Sequence, residues 1–363
     1  MDILNLEDTS CTNDLLPFTA TRAMLDIRMG ILTFREKWVK LLGADAFRLT
    51  PITTGPALPA NILPTRALAA RVKEEFARES GNGYGRERGP LTQASIDRIL
   101  THGRLIRYPW HIFQHNSEAL LEDFDLVTAG RISQPIPPTV QSVNPAGIFI
   151  EEGARLSHCL LNASTGPIYI GRDAEIMEGA LIRGPFAACE GAVVKMGTKI
   201  YGATTLGPAT TAGGEIKNVV FFGYSNKGHD GYLGDAVIAE WCNLGAGVSA
   251  SNLKNNAADV RVYHPASATW LNAGLKCGLL MGDYSRAAIN TAFDTGTLVG
   301  TCCNIFGAGV PAKYVPDFTW GTTAPERYQW EKALRDIDNW KKLKNRSLTE
   351  TEILALRHIF EAL

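Results

Sequence analysis

A residue period of six dominates the chain between Ile170 and Pro316. An aliphatic or small residue returns at every sixth position, and an Ala or Thr usually follows it four places later. A helix would carry a period of six off its face within two turns, and a strand alternates at every second residue. The pattern therefore predicts a parallel β-helix, in which each hexapeptide forms one wall of a prism and its aliphatic residue fills the interior. The first run is Ile170, Ile176, Ile182, Ala188, Val194, Ile200, Leu206 and Ala212.

The same period restarts after an interruption. The second run is Met281, Ala287, Phe293, Val299, Ile305 and Pro311. Between the two runs, Ile238, Leu244 and Ala250 keep the spacing but are displaced by two residues from the first run. We therefore predict an insertion that leaves the prism near Phe221 to Tyr232. Excursions of this kind commonly carry function, because the coils themselves only fill a core.

The remaining chain is predicted to form two flanking regions. Residues 1–133 lack the period and indicate a small α/β unit, with a strand at 2–6, helices at 31–42, 65–80, 92–100 and 117–123, and a loop at 81–85. The solenoid is assigned to 134–321, starting at a proline-rich linker. Residues 322–363 are predicted to form helices that close the open end of the solenoid, with partner binding as the alternative. Thr349 and Glu352 have the spacing of a capping box.

Composition indicates a soluble globular protein. The chain has 363 residues, of which 45% are hydrophobic and 20% charged, and its formal net charge is -1. Balanced charge gives no reason to expect nucleic acid or an anionic membrane as partner. Without a long apolar run or a signal-peptide pattern, we expect a cytoplasmic protein. The seven cysteines show no Cys-x-x-Cys and are predicted to be buried, and no histidine lies at a spacing that predicts a metal site.

Five short motifs follow one another in the middle of the chain. They are Glu215-Ile216-Lys217-Asn218, Lys227-Gly228-His229, Tyr232-Leu233-Gly234-Asp235, Asn243-Leu244-Gly245-Ala246-Gly247 and Asn252. This series resembles the left-handed β-helix acyltransferase domain of the bifunctional UDP-N-acetylglucosamine pyrophosphorylase / glucosamine-1-phosphate N-acetyltransferase family. Residues 15–38 and 109–116 resemble sugar nucleotidyltransferases of bacteria. The resemblance implies a left-handed solenoid, acetyl-CoA as acyl donor, and a homotrimer with the acyl-CoA site between neighbouring prisms.

The resemblance also implies roles for single residues. It places the family's catalytic histidine at His229, and an imidazole with an ordinary pKa of about 6.5 can accept a proton at neutral pH. Glu215 is a candidate to orient that imidazole or the substrate. Solvated side chains and tight corner packing remain the alternatives for these positions. Lys217 is the candidate for the sugar phosphate, Tyr232, Asn243 and Asn252 for other substrate contacts, and Gly245, Ala246 and Gly247 for backbone donors near the thioester.

The predicted function is acyl-CoA-dependent acylation of an amino sugar phosphate or a sugar nucleotide. Where the family has an arginine shortly after Gly-Pro-Phe-Ala, this chain continues Ala188-Cys189-Glu190, which argues against glucosamine 1-phosphate as the substrate. One alternative is a sugar-1-phosphate nucleotidyltransferase with a structural solenoid, although the glycine-rich nucleotide loop is missing. Mg²⁺ is expected only if that N-terminal unit is active. The other alternative is a non-catalytic trimeric scaffold or binding protein.

Overall fold

The protein is a β-solenoid flanked by an N-terminal α/β unit and two C-terminal helices, as the sequence predicted. The computed structural model describes residues 3–50, 55–80 and 91–363. The first wall consists of Gln141–Val143, Leu160–Asn162, Leu181–Arg183, Lys199–Tyr201, the first parts of Glu215–Gly223 and Tyr232–Glu240, Ser249–Ala250 and Ala292–Phe293. The second wall consists of Ile148–Ile150, Ile168–Ile170, Phe186–Ala188, Thr204–Leu206, the second parts of the same two long strands, Leu280–Met281, Leu298–Val299 and Tyr314–Val315. The third wall consists of Arg155–Leu156, Glu175–Ile176, Val193–Val194, Thr211–Ala212, Asn226–Lys227, Asn243–Leu244, Arg286–Ala287, Asn304–Ile305, Thr319–Trp320 and Glu326–Arg327.

Aliphatic side chains stack through the interior of the prism. Ile182 pairs with Ile200, Ile200 with Ile216, and Ile216 with Leu233, all in parallel register. These side chains are buried in one continuous apolar cluster. Burial of each such residue contributes roughly 1.5–3 kcal/mol, so the repeated hexapeptide is the main source of solenoid stability.

The predicted excursion near Phe221 to Tyr232 is wrong. Phe221 lies inside the strand Glu215–Gly223, and Tyr232 begins the strand Tyr232–Glu240. The phase slips here because coils become shorter: Ile182 pairs with Ile200, eighteen residues later, whereas Leu206 pairs with Phe221, only fifteen residues later. Residues lost from a corner displace the repeat as an insertion does, and sequence spacing alone does not separate the two cases.

The excursion from the solenoid comes later in the chain. Ala250 pairs with Phe293 in the next coil, forty-three residues further on. The intervening segment carries an antiparallel hairpin of Arg261–His264 and Thr269–Asn272. Val260 and Val262 at the start of this hairpin pack into the core of the N-terminal unit. The insertion therefore joins two parts of the molecule.

The N-terminal unit is a three-stranded parallel sheet surrounded by helices. Its central strand β1 (Leu4–Glu7) lies between β2 (Phe47–Thr50) and β3 (Leu58–Pro59). Four of its helices correspond to the predicted ones, while the predicted loop at 81–85 lies outside the described residues. The helices are α1 (Thr9–Thr12), α2 (Phe34–Leu42), α3 (Arg66–Ser80), α4 (Gln93–Leu100), α5 (His111–Gln114) and α6 (Asn116–Thr128).

This unit covers the outer face of the second wall. Phe222, Val220 and Val237 point outward from that wall and are buried in the same apolar cluster as β1 and α2. Arg28 Nε donates to the Phe222 carbonyl over 3.1 Å, and Arg22 pairs with Asp283 at 2.6 Å. The second wall is thus buried on both faces, so a functional site on the solenoid would lie on the other two walls or at the corner between them.

Two C-terminal helices, α7 (Trp330–Lys342) and α8 (Glu350–Glu361), pack along the flank of the solenoid. They cover a column of corner residues between the second and third walls: Trp241, Tyr284, Cys302 and Phe318. The predicted C-terminal helices are confirmed, and they pack against the last coil at Phe318 and also against the corners of earlier coils along the flank. The capping box of Thr349 and Glu352 at the start of α8 is confirmed.

No helix within the described part of the chain is both long and apolar enough to cross a membrane. All seven cysteines are buried.

Candidate functional site

His229 lies at the corner that leads from the third wall into the first wall. We call residues 228–231 the His229 corner. The His229 side chain is exposed, and it makes no hydrogen bond to any residue in the described ranges. Its carbonyl accepts from Lys227 Nζ over 2.6 Å. The imidazole is thus free to meet a ligand, while its backbone is held from inside the prism.

The corner of the next coil, residues 245–247, stacks directly on the His229 corner. Gly247 N donates to the Asp230 carbonyl over 3.1 Å, and Gly245 N donates to the Ala287 carbonyl over 3.0 Å. Ala246 N makes no hydrogen bond to a described residue, so it is the amide of this corner that remains available to a ligand.

Close packing against the following coil explains both glycines. A Cβ atom on Gly245 would lie 2.7 Å from Ile289 N, and one on Gly247, whose φ is +74°, would lie 2.1 Å from Asn290 Oδ1. The glycines at 245 and 247 therefore serve corner packing, and Ala246, which is half-buried like them, is the residue of this corner whose amide has no partner among the described residues.

Glu215 and Tyr232 stand side by side at the start of the first wall, immediately after the corner. The Glu215 carboxylate accepts from Tyr201 Oη over 2.6 Å, and this bond raises the pKa of Tyr201 to about 12. No hydrogen bond joins Glu215 to His229 among the described residues. The carboxylate is thus oriented by Tyr201, toward the surface of the wall where a substrate would lie.

Lys217 lies further along the same strand, with its Nζ 5.9 Å from the centre of the Tyr201 ring. Lys199 and Arg183 occupy the preceding coils and line a groove of about 410 Å³ together with Tyr201. None of these three cations forms an ion pair with a described carboxylate. The first wall therefore carries unmatched positive charge.

Asn252 ends this row of polar groups at the far edge of the first wall. Its Nδ2 donates to Asp235 Oδ2 over 2.5 Å, and Asn218 Nδ2 donates to Asp235 Oδ1 over 2.7 Å. Burial raises the pKa of Tyr232, and Asp235 adds to that effect. Asn252 is thus engaged in holding the edge of the wall.

Asn243 lies apart from the first-wall residues. It sits on the third wall between Asn226 and Arg286, two residues before the 245–247 corner. The structure therefore brings His229, Ala246, Glu215, Tyr232 and Lys217 to one corner and wall, and places Asn243 on the other side of that corner.

No group of three or more His, Cys, Asp or Glu side chains in residues 3–50, 55–80 and 91–363 is arranged to hold a metal ion.

Comparison with known proteins finds one family model and several curated relatives. Residues 3–54 and 59–132 match the family model described as sugar nucleotidyl transferase. The chain is 30% identical over 148 residues to the bifunctional sugar-1-phosphate nucleotidylyltransferase/acetyltransferase of Sulfurisphaera tokodaii, a match that covers 40% of this chain and 36% of that protein. It is 29% identical over 89 residues to the bifunctional protein GlmU of Methanocaldococcus jannaschii, covering 24% and 21%.

Parts of the chain are thus similar to bifunctional nucleotidyltransferase/acetyltransferases. The resemblance predicted from the sequence is thereby confirmed. A further relative, the uncharacterized acetyltransferase YaiX of Escherichia coli O6:K15:H31, is 30% identical over 146 residues, covering 39% of this chain and 61% of that protein. The matches span about a fifth to three fifths of these relatives' own lengths.

A solved UDP-N-acetylglucosamine acyltransferase of Francisella novicida is 12% identical, covers 63% of this chain and 77% of its own, and has a TM-score of 0.34. A likeness this distant carries no argument about function.

The sequence analysis assigned no role to Tyr201, Asp235, Arg183 and Lys227, although Asp235 and Lys227 stand in two of its motifs. Each becomes visible only when the coils are stacked in register, because Tyr201 pairs with Lys217 and Glu215 pairs with Tyr232 across coils of unequal length. Counting in steps of six from Ile170 runs out of register after Ala212. The signal was therefore present but required the observed coil lengths.

Proposed function

We propose that the protein is an acyl-CoA-dependent acyltransferase that acts on an amino sugar phosphate or a sugar nucleotide in the cytoplasm. The observation that carries this proposal is the convergence at one corner of an exposed imidazole, a free backbone amide and a wall of unmatched cations. An acyl transfer to a sugar amine needs a base, an oxyanion donor and a site for phosphate, and these three groups supply them.

His229 is the proposed base. The sugar amine attacks the thioester carbonyl, a C–N bond forms, and the amine proton passes to the imidazole. The C–S bond then breaks and the thiolate leaves as CoA, which can take the same proton from the imidazolium. Glu215, oriented by Tyr201, is placed to hold the amine or a neighbouring hydroxyl on the wall.

Acetyl-CoA is the proposed acyl donor and supplies the thioester. The Ala246 amide is the proposed oxyanion donor, because the amides of Gly245 and Gly247 already serve the backbone ladder. Mutational series on such donors give losses of roughly 10²–10³ in kcat for one hydrogen bond.

Arg183, Lys199 and Lys217 are the proposed phosphate ligands. The second position after Phe186-Ala187 is taken by Cys189, whose Sγ donates to the Ile31 carbonyl over 3.5 Å, so it serves contact with the N-terminal unit. Arg183 comes just before this segment and faces the first-wall groove. A phosphate-binding arginine displaced in this way supports a phosphorylated substrate other than glucosamine 1-phosphate.

A homotrimer would complete the site. Met196 and Ile289 lie at the same corner of the prism as His229 and Ala246. Met196 is two coils before His229 and Ile289 is two coils after it, and their exposed fractions are 70% and 68%. Large apolar side chains at the edge of a shallow site favour coverage by a neighbouring subunit.

The decisive experiment follows CoA release from acetyl-CoA with amino sugar phosphates and UDP-linked amino sugars. His229→Asn should lower kcat at least about a hundredfold with an unchanged melting temperature, as expected on loss of a general base. His358→Asn, an exposed histidine on α8, is the matched control. Full turnover by His229→Asn would show that the base lies elsewhere.

A nucleotidyltransferase with a structural solenoid is the alternative, supported by the family match of residues 3–132. Here, however, α1 begins directly after β1, and Glu7 Oε1 accepts from Ser10 N over 2.9 Å where a glycine-rich loop would cradle a triphosphate. Pyrophosphate release with sugar 1-phosphates and nucleoside triphosphates tests this alternative. A scaffold without catalysis would show neither pyrophosphate nor CoA release.

A further inference from the structure

A second concave site lies on the N-terminal unit. It is a cleft of about 680 Å³. Its walls are residues 63–67, which follow β3, residues 100–107, and helices α5 and α6. Small-molecule pockets measure roughly 300–1,000 Å³. The rim is tied to the sheet region, since Leu63 N donates to the Arg104 carbonyl over 2.8 Å and Ile62 bridges to Leu105. The cleft shares no lining residue with the His229 corner or the first wall.

Two arginines and two glutamates line this cleft, and one of the arginines has no carboxylate partner among the described residues. Arg104 pairs with Glu118 at 2.9 Å, and Glu122 lies 3.6 Å from Arg66, so both acidic residues already have a cationic neighbour. Arg107 is exposed and forms no ion pair with a described residue. The basic lining residues are His102, Arg104, Arg107, His111 and His115.

Two of the histidines form the inner part of the cleft. The rings of His111 and His115 meet edge to face with centroids 5.6 Å apart, and His111 Nδ1 accepts from Arg107 N over 3.3 Å. Burial lowers the pKa of His111 to about 4, with His115, Arg107 and Arg104 adding to the effect. Burial and Arg104 lower the pKa of His115 as well. The two glutamates of the lining are engaged by Arg104 and Arg66, so neither imidazole has a carboxylate partner among the described residues.

We propose that this cleft binds a small phosphorylated molecule by its phosphate group, through Arg107, His111 and His115. A guanidinium matches two phosphate oxygens at once, and a bound dianion favours protonation of imidazoles beside it. The cleft is larger than a free phosphate needs, so it also has room for the remainder of an ester. The proposal does not depend on acyl transfer at the solenoid.

Isothermal titration calorimetry on the full chain tests this site with three probes: inorganic phosphate, a sugar 1-phosphate and a nucleoside triphosphate. We expect at least one to bind, and Arg107→Gln and His115→Gln each to weaken that binding roughly tenfold, as for loss of one charge-assisted hydrogen bond. Arg71→Gln, which removes a half-buried charge of the same unit that is paired with Glu74, should leave binding unchanged. Thermal melts check that each variant is folded. If Arg107→Gln is destabilised, the binding measured for His115→Gln tests the proposal.

Proton linkage supplies the second readout. Because burial lowers the pKa of His111 and His115, a bound phosphate should raise these pKa values and take up protons, measured as a dependence of the heat on the ionisation enthalpy of the buffer. Failure of all three probes to bind at millimolar concentration would overturn the proposal, as would binding that both variants leave unchanged. Equal affinity for inorganic phosphate and the esters would support the phosphate site and identify free phosphate as sufficient. The charged and titratable groups around these imidazoles are His102, Arg104, Arg107, Tyr108, Glu118 and Glu122.

Discussion

A lysine occupies an interior position of the solenoid. Lys227 stacks between Ala212 of the preceding coil and Leu244 of the next coil, and its side chain is fully buried. Its Nζ donates to the carbonyls of His229 (2.6 Å) and Gly213 (3.3 Å). The coil between Ala212 and Lys227 is three residues shorter than a full coil. The Lys227 ammonium therefore donates to backbone carbonyls of the shortened corner that would otherwise lack a hydrogen-bond partner. Lys227 is therefore a positioning residue for the His229 corner.

The titration of Lys227 predicts a pH-dependent stability. Burial lowers its pKa from 10.5 to about 8, against the attraction of Asp230. Between these two values the unfolded lysine keeps a proton that the folded one has lost, so this side chain makes the free energy of unfolding rise with pH from about 8 to 10.5. Urea unfolding of wild type and Lys227→Met should therefore differ increasingly in favour of the wild type across that window.

Lys199→Met is the control, because Lys199 is an exposed residue of the same solenoid. A constant difference between wild type and Lys227→Met from pH 7 to 10.5 would contradict the assignment. The interior position of Lys227 could not be predicted from the sequence. Lysine in a hexapeptide is ordinarily outward, and only the shortened coil turns position 227 inward.

At the scale of elements, the repeated hexapeptide allowed the walls of the solenoid to be predicted from the sequence. The packing of separate elements against one another could not be predicted in this way. The period identified the walls, because interior positions such as Ile182 and Ile200 are fixed by burial alone. Helix starts at Thr33, Thr92 and Thr349 follow local capping chemistry, and each side chain accepts the expected amide. The flank packing of α7 and α8 depends instead on which corner carries Trp241 and Tyr284, which no local pattern reports.

Glu352 predicts how α8 depends on its cap. Its Oε2 accepts from Thr349 N at 2.8 Å, while its Oε1 accepts from Lys341 Nζ at 2.5 Å and Tyr284 Oη at 2.9 Å. Thr349→Ala removes only the cap and should cost about 1 kcal/mol of unfolding free energy. Glu352→Ala also leaves the buried Lys341 without its carboxylate and should cost roughly 2–3 kcal/mol. Chemical unfolding measures both.

Glu350→Ala is the control for that comparison, since Glu350 is exposed in the same first turn, where an acidic residue contributes less than about 1 kcal/mol through the helix dipole. Equal losses for the Thr349 and Glu352 variants would mean that the contacts to α7 and the solenoid contribute nothing.

At the scale of the whole molecule, the exposed apolar corner predicts a self-association surface. Ile289→Glu places a charge beside Ala246 on the surface that we assign to a neighbouring subunit. The variant should shift the mass in light scattering from trimer to monomer and lower kcat, while its own fold is kept because the side chain is 68% exposed. Leu343→Glu, at a site 74% exposed on the C-terminal segment, should do neither. A wild type that is monomeric at micromolar concentration would remove this surface from the proposal.

The N-terminal unit and the solenoid are predicted to unfold as one body. Asp283 is fully buried; its Oδ1 accepts from Arg22 Nη2 and Glu240 N, and its Oδ2 from Thr21 Oγ1. Asp283→Asn leaves a buried guanidinium short of its carboxylate, which typically costs 3–5 kcal/mol. Glu240, 3.4 Å from Arg22, remains as a partial partner, so we expect about 3 kcal/mol.

Tryptophan fluorescence and far-ultraviolet circular dichroism both follow that change. Trp38 and Trp110 are buried in the N-terminal unit and the other five tryptophans lie outside it, so unfolding in two steps would appear in fluorescence as two transitions. Since Phe222 and Val237 of the solenoid are part of the core around β1, both signals should move to lower urea together in Asp283→Asn. Asp125→Asn, which breaks an exposed pair with Arg66, should cost less than about 1 kcal/mol. Two separate transitions would mean that the N-terminal unit folds independently, and the family-matched region could then be studied for nucleotide chemistry on its own.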